Sequence, residues 1–321
     1  MRKQFNMNFI GHSKLFFGIS AVLIAATVIL SFIIGVQFDL EFKGGTLLTY
    51  SYTGEIDTGA IEDTVESVSG ETVTVTTGTS YGSVTVQTVS ISFTSEEGLT
   101  IERQAAITDA VQAAFPENTL TLESSDDVNP STGQEFFQKC LLAVAIAAIL
   151  IIIYIGFRFR KIGGISAGVM GVVALVHDVI MVYLAFVIFQ FPINMNFMAV
   201  ILTILGYSIN DTIVIYDRVR ENEDIYGKKM PIGDMVNLSL NQTFTRCINT
   251  AAMTILTMIV VTIVALAFNV ESIITFSLPM LVGMLSGTYS TLCIACPLWV
   301  VWKKHSDRKG GGSKKLNPAK A

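Results

Sequence analysis

Between Gln37 and Gln134 the chain has no cysteine and only two basic residues, Lys43 and Arg103. Such a segment folds without disulfides, and no nucleic-acid partner is expected of it. Histidine is scarce too: His12, His177 and His305 are scattered, so no metal cluster is expected. Cys293 and Cys296 form a C-x-x-C pair, but with no second pair and no nearby histidine they read as two small residues on one helix face. The pattern G-x-x-x-x-G-K-[ST] is missing, and Gly44–Gly45 lacks the Lys and Ser that would follow. Neither ATP hydrolysis within the chain nor a cofactor is expected, and the protein does not read as an enzyme. Charge is low throughout: 15% of residues are charged and 51% hydrophobic, which is not the balance of a soluble protein.

Long apolar runs take their place. A spanning helix needs ~20 consecutive apolar residues. Six stretches qualify: Leu15–Val36, Phe137–Phe157, Gly163–Phe189, Asn196–Tyr216, Cys247–Phe268 and Ser272–Trp302. The first follows Arg2, Lys3 and Lys14, yet it is too long for a signal h-region and no small-x-small site precedes Gln37, so it reads as an anchor. Most acidic residues lie between Gln37 and Gln134. The basic ones gather at the N-terminus, at Arg158, Arg160 and Lys161, between Arg218 and Arg246, and from Lys303 onward; Lys139 is the exception. These groups alternate sides across six spans, and the positive-inside rule then places both termini in the cytoplasm and residues 37–134 on the exported side. The expected divisions are 1–14 cytoplasmic, 15–36 first span, 37–134 exported domain, 135–302 the remaining spans with a cytoplasmic loop 217–246, and 303–321 a flexible basic tail carrying Gly310 to Lys315.

Within the exported segment, Thr46–Tyr52 and Thr72–Thr76 alternate as strands, with Val73 and Val75 on one face. Ser83–Phe93 alternates with a phase slip that predicts a bulge near Gln87–Thr88, Gly78–Gly82 reads as the hairpin loop, and Thr119–Glu123 as a fourth strand. Ile61, Val65 and Val68 predict a helix stopped by Gly70, and Ile107, Val111, Ala114 and Phe115 a second one ended by Pro116. The order β-α-β-β-α-β predicts an α+β ferredoxin-like domain inserted into a polytopic α-helical membrane protein. Asp126–Gly133 reads as a linker, with Thr132 and Glu135 as a capping box opening the second span. Beyond Gly227 and Pro231, Ile232, Met235, Val236 and Leu240 predict an amphipathic segment at the membrane surface.

Ionisable residues inside spans are costly and point to function. Asp178, preceded by His177, lies mid-way along the third span; their side chains leave the helix about 100° apart, so they are not expected to face one partner. For Asp178 a structural and a functional role remain equally open. Asp211, between Asn210 and Thr212, lies in the cytoplasmic half of the fourth span, and Asp217 sits nearer the headgroups, where interfacial charge is cheap. Arg246 begins the fifth span and can reach similar depth to Asp211. Desolvation favours the neutral acid and a guanidinium favours the anion, so an acid between those tendencies can take up and release protons. The pairs Gly164/Gly168 and Gly283/Gly287 read as helix-packing positions.

The run Gly206-Tyr207-Ser208-Ile209-Asn210-Asp211-Thr212-Ile213-Val214-Ile215-Tyr216-Asp217-Arg218-Val219-Arg220-Glu221-Asn222 resembles the fourth-span signature of the SecF family. Asn241-Gln242-Thr243 with Arg246, Asn249 and Thr250 resembles the start of its fifth span, Val176-His177-Asp178 its third, and Val128-x-Pro130-x-x-Gly133 the approach to its second. One departure is Glu41 in Asp39-Leu40-Glu41-Phe42-Lys43-Gly44-Gly45, where that family has Asp. The resemblance implies one six-helix half of a resistance-nodulation-division type transporter in the bacterial plasma membrane, with SecD as partner, the SecYEG channel as associate, and translocating pre-proteins as clients. It implies use of the proton-motive force, with Asp211 as proton-binding acid and Arg246 as its charge partner; His177, Asp178, Asn210 and Asp217 are further polar candidates. The alternatives are half of a small-molecule efflux transporter, an intramembrane aspartyl protease using Asp178 and Asp211, and a passive scaffold for the translocon.

Overall fold

The computed structural model describes residues 7–39, 42, 44–81, 85–93, 99–128, 130–268 and 270–311. Among the described residues, six helices are long and apolar enough to cross a membrane: Ser13–Ile34, Glu135–Arg158, Gly164–Phe189, Met195–Tyr226, Ile232–Ala267 and Ser272–Ser306. The third, fourth and sixth spans are the most buried and form the interior, with the first, second and fifth around them. Apolar side chains such as Val22, Phe32, Leu256 and Ile263 point outward, the inverse of a soluble surface and the arrangement a hydrocarbon solvent rewards.

Glycine lets the spans approach. A Cβ on Gly164 would fall 2.7 Å from the backbone oxygens of Ile155 and Gly156, so the third span starts in backbone contact with the end of the second. A Cβ on Gly283 would meet Ile204 at 2.7 Å and Val182 at 2.9 Å, and one on Gly287 would meet Ser208 Cβ at 3.1 Å. The sixth span therefore lies tight against the third and fourth. It is also interrupted: residues Thr291–Ala295 form a π-helical turn. Pro297 stands two residues beyond it, and its ring cannot pack against the carbonyl of Cys293, four residues back, in a regular helix; a widened turn accommodates it.

The fifth helix corrects an expectation. Ile232–Ala267 is one continuous helix, and Met235, Val236 and Leu240 are buried against Phe9, Tyr216, Val219 and Trp299 instead of lying on the membrane surface. The N-terminal segment is tied to it: Asn237 Oδ1 accepts from Phe9 N at 2.8 Å, and Asn241 Oδ1 accepts from Met7 N at 2.8 Å.

Among the described residues the domain between the first two spans has four strands, β1 (Gly45–Tyr52), β2 (Val73–Tyr81), β3 (Thr85–Phe93) and β4 (Thr121–Val128), in the antiparallel order β2-β3-β1-β4. Helices Thr58–Ser69 and Ile101–Ala114 follow β1 and β3. They bury Ile61, Val65, Ile107 and Val111 against Leu48, Tyr50, Val89, Ile91 and Phe93. Full burial of each such side chain contributes ~1.5–3 kcal/mol. Asp57 caps the first helix by accepting from Gly59 N, and Gly70 ends it at φ 71°, a left-handed value that glycine adopts without strain.

Several local expectations differ. Val68 is exposed and Ser69 is the buried residue of that last turn, its hydroxyl bonded to the Glu71 main chain. Ala114 is exposed as well. Gly78 pairs with Thr88 within the ladder, so it is no loop; the connection falls at 82–84, outside the described residues. Pairing through Gln87–Thr88 is regular, and the irregularity sits instead at Thr49/Tyr50 opposite β4. The linker expected at Asp126 is strand to Val128, and the next helix starts at Pro130, so Thr132 lies within the helix and not at the position before it where a capping residue stands. Proline suits a first helical turn because its missing N–H has no intrahelical partner there anyway. Glu135 bonds to Lys139 instead, at 2.8 Å. Glu41 and the tail from 312 lie outside the described residues, while the last helix runs to Gly311.

The domain is anchored at its base. Ile193, between the third and fourth spans, donates to Gln37 O at 2.8 Å and accepts from Asp39 N at 3.1 Å, and Phe42 packs on Phe136 and Phe137.

A fragment spanning residues 44–128 carries its whole core and should give a mixed helix–strand circular dichroism spectrum and a cooperative melt unchanged by reductant; a disordered spectrum would contradict this. Its stability should also fall at alkaline pH. Burial holds the Tyr50 phenol above its usual 10.0, with the Thr108 hydrogen bond opposing in part. A raised acid contributes stability that is complete below the unfolded value and is lost as pH rises toward the folded one. Tyr50→Phe should flatten the alkaline limb of a melting-temperature profile measured from pH 8 to 11.

Candidate functional site

Along the fourth and sixth spans, polar residues occur between two apolar clusters. One cluster contains Phe197, Ile201, Ile204, Leu205 and Met284; the other contains Ile215, Tyr216, Cys296 and Trp299. The centre of the polar layer is Asp178, fully buried on the third span. Its Oδ2 accepts from Ser208 Oγ at 2.8 Å and Ser290 Oγ at 2.7 Å, and its Oδ1 from Ser286 Oγ at 2.6 Å. Three hydroxyls from two neighbouring spans thus converge on one carboxylate, which satisfies a group that would otherwise cost several kcal/mol in hydrocarbon.

His177 is buried beside it. Its Nδ1 lies 3.4 Å from both Asp178 Oδ1 and Ser286 Oγ, so the two neighbours do meet at one partner, contrary to the sequence expectation. Their helix positions diverge, but Ser286 projects from the sixth span between the two side-chain ends. His177 Nε2 has no hydrogen-bond partner, and the ring packs on Tyr289, whose hydroxyl donates to Phe16 O of the first span at 2.9 Å. On the other side Ser208 O accepts from Thr291 Oγ1 at 3.3 Å, within the π turn, and Thr291 and Thr212 hydroxyls lie 3.3 Å apart. The hydroxyl network so reaches Thr212, the residue after Asp211.

Asp211 occupies a different setting. It is buried on the face of the fourth span toward the fifth, against the Cys247 thiol and in the electrostatic field of Arg246. Arg246 itself is exposed, and no ion pair within 4.0 Å joins the two among the described residues. The two spans touch there: Tyr207 and Thr254 hydroxyls lie 3.1 Å apart. Asn210 and Asn249 are exposed on the outer side of this pair of helices. Asp178 and Asp211 share no hydrogen bond, so the structure offers no carboxylate dyad. Asp217 stands apart at the basic end, bonded by Arg158 at 3.1 Å and Arg220 at 2.7 Å.

A profile described as "Protein export membrane protein SecD/SecF, C-terminal" matches residues 107–305. The protein translocase subunit SecF of Alicyclobacillus acidocaldarius is 30% identical over 321 residues, covering 99% of this chain and 99% of that one. The chain belongs to the SecD/SecF family of protein-export membrane proteins. The protein translocase subunit SecDF of Bacillus subtilis is 33% identical over 307 residues, 94% of this chain. The crystal structure of SecDF from Thermus thermophilus superposes with a TM-score of 0.77 at 27% identity over 95% of this chain. This chain spans 39% and 40% of the lengths of those two SecDF proteins.

Within this SecD/SecF member, Ser286 and Ser290 are not among the polar candidates that the sequence points to, although Ser286 falls between the paired glycines 283 and 287. Their signal was present only as polar residues recurring at i, i+4 on an apolar helix, three residues beyond the Gly283 contact. That contact makes a sharp expectation. Gly283→Val drives a branched side chain into Ile204 and Val182 and should lower thermal stability in detergent by ~1–3 kcal/mol. Gly206→Val, where a Cβ meets nothing within 4 Å, should leave the melting temperature nearly unchanged.

Proposed function

We propose that this chain is the SecF-type half of a proton-driven accessory complex for protein export in the bacterial plasma membrane. Its SecD-type partner supplies the other six-helix half of a resistance-nodulation-division architecture, and the complex works beside the SecYEG channel on pre-proteins late in translocation. Both termini and the basic loops face the cytoplasm, and the inserted domain, ferredoxin-like by its βαββαβ order and β2-β3-β1-β4 sheet, faces the exported side. Family membership, six spans and segregated charge support this reading.

The observation that carries the mechanism is Asp211: an acid buried between the fourth and fifth spans, in the field of Arg246 but not locked to it. A carboxylate fixed in a close ion pair stays anionic; one held near a guanidinium at longer range can be protonated and released as helices shift. Arg246 approaching favours the anion, and its withdrawal favours the neutral acid, so helix position and proton occupancy are linked. The exposed polar groups Asn210 and Asn249 beside it are where a second half would close the path. Asp178 and His177 form the rigid polar core that holds the third, fourth and sixth spans in register behind Asp211, and Asp217 anchors the basic end.

The test is pre-protein translocation into inverted membrane vesicles with and without a proton gradient. Asp211→Asn should insert and bind its SecD-type partner at normal abundance yet lose the gradient-dependent stimulation. Arg246→Met should lose it as well. Normal stimulation in Asp211→Asn would remove the proton-coupling role and leave a membrane scaffold.

A further inference from the structure

The fourth span continues well past the bilayer. Its helix has 32 residues, about 48 Å at ~1.5 Å per residue, against a hydrocarbon core of ~30 Å. Beside this extension, at the end of the second span, opens a cleft of ≈ 320 Å³ lined by Phe157, Arg158, Arg160, Lys161, Arg220, Glu221 and Asp224. Four of those side chains are cationic. The two acids among them are already engaged: Glu221 accepts from Arg218 at 2.6 Å and Asp224 from Lys161 at 3.3 Å. Arg158 and Arg220 both donate to the same oxygen of Asp217, at 3.1 and 2.7 Å. One carboxylate thus holds two guanidinium groups close together while using one donor of the five each carries. Arg160, exposed at the mouth, forms no ion pair among the described residues.

We propose that this cleft binds the phosphate headgroup of an anionic phospholipid of the phosphatidylglycerol class. The paired guanidinium groups present unused N–H donors at the floor, and Arg160 brings an uncompensated charge to the rim. Phosphate oxygens accept such donors in bidentate fashion. The place fits a lipid better than a soluble anion. Arg158 is the last residue of the second span, so the cleft opens at headgroup depth. Phe157 at its edge and Tyr154 one turn earlier are exposed toward the hydrocarbon, where they can flank an acyl chain. The inference requires only that the chain spans a membrane and is independent of proton coupling.

The experiment uses the full chain in a neutral maltoside detergent, with native mass spectrometry counting bound lipid. Phosphatidylglycerol should be retained in preference to phosphatidylcholine, and inorganic phosphate at equal concentration should not compete it away. Arg160→Gln, which breaks no contact in the fold, should lower phosphatidylglycerol retention about fivefold, and Lys161→Gln by a similar factor. Lys139→Gln, at the opposite end of the bundle, should change nothing. Equal retention of phosphatidylcholine, displacement by inorganic phosphate, or unchanged retention in Arg160→Gln would each overturn the assignment.

Discussion

The bundle depends on one carboxylate being fully hydrogen-bonded where no water reaches. Asp178 is placed by the third span, but the groups that make it tolerable, Ser208, Ser286 and Ser290, belong to two other helices. Those hydroxyls are within reach because Gly283 and Gly287 allow the sixth span to lie against Ile204 and Ser208. Small residues and polar contacts therefore act together. In a membrane the hydrophobic effect does not drive helices toward one another, so close packing and satisfied polar groups decide which helices are neighbours. The same contacts join the three interior spans to one another through buried polar groups.

That arrangement separates two kinds of acid. Asp178 has a full set of donors and is suited to holding helices in place. Asp211 has a thiol on one side, a distant guanidinium, and the exposed neighbours Asn210 and Asn249. A group with incomplete, changeable surroundings suits a step that must reverse, and a group with complete surroundings does not. The π turn at Thr291–Ala295 reaches toward both, through Thr291 bonded to Ser208 O and lying beside the Thr212 hydroxyl. The inserted domain follows the opposite solvent rule. Its apolar side chains are enclosed between one sheet face and two helices, and it meets the bundle through Ile193, Gln37 and the Phe42 ring.

Much of this was legible in the residues. Apolar run length located six spans, and alternation followed by helical stripes produced the strand and helix order of the domain, because each of those signals reports a residue's own local surroundings. The fourth-span run from Gly206 to Asn222 carried the family. Tertiary structure alone decided what those residues touch. The partners of Asp178 lie 30, 108 and 112 positions away, and no periodicity encodes which helix will stand opposite. The misplaced bulge and hairpin loop in β2 and β3 fail for the same reason, since strand register is a property of the pair. Ile232 to Leu240 showed an amphipathic stripe correctly, but a stripe does not say whether lipid or protein covers it; Phe9, Tyr216 and Trp299, brought in from three other segments, do.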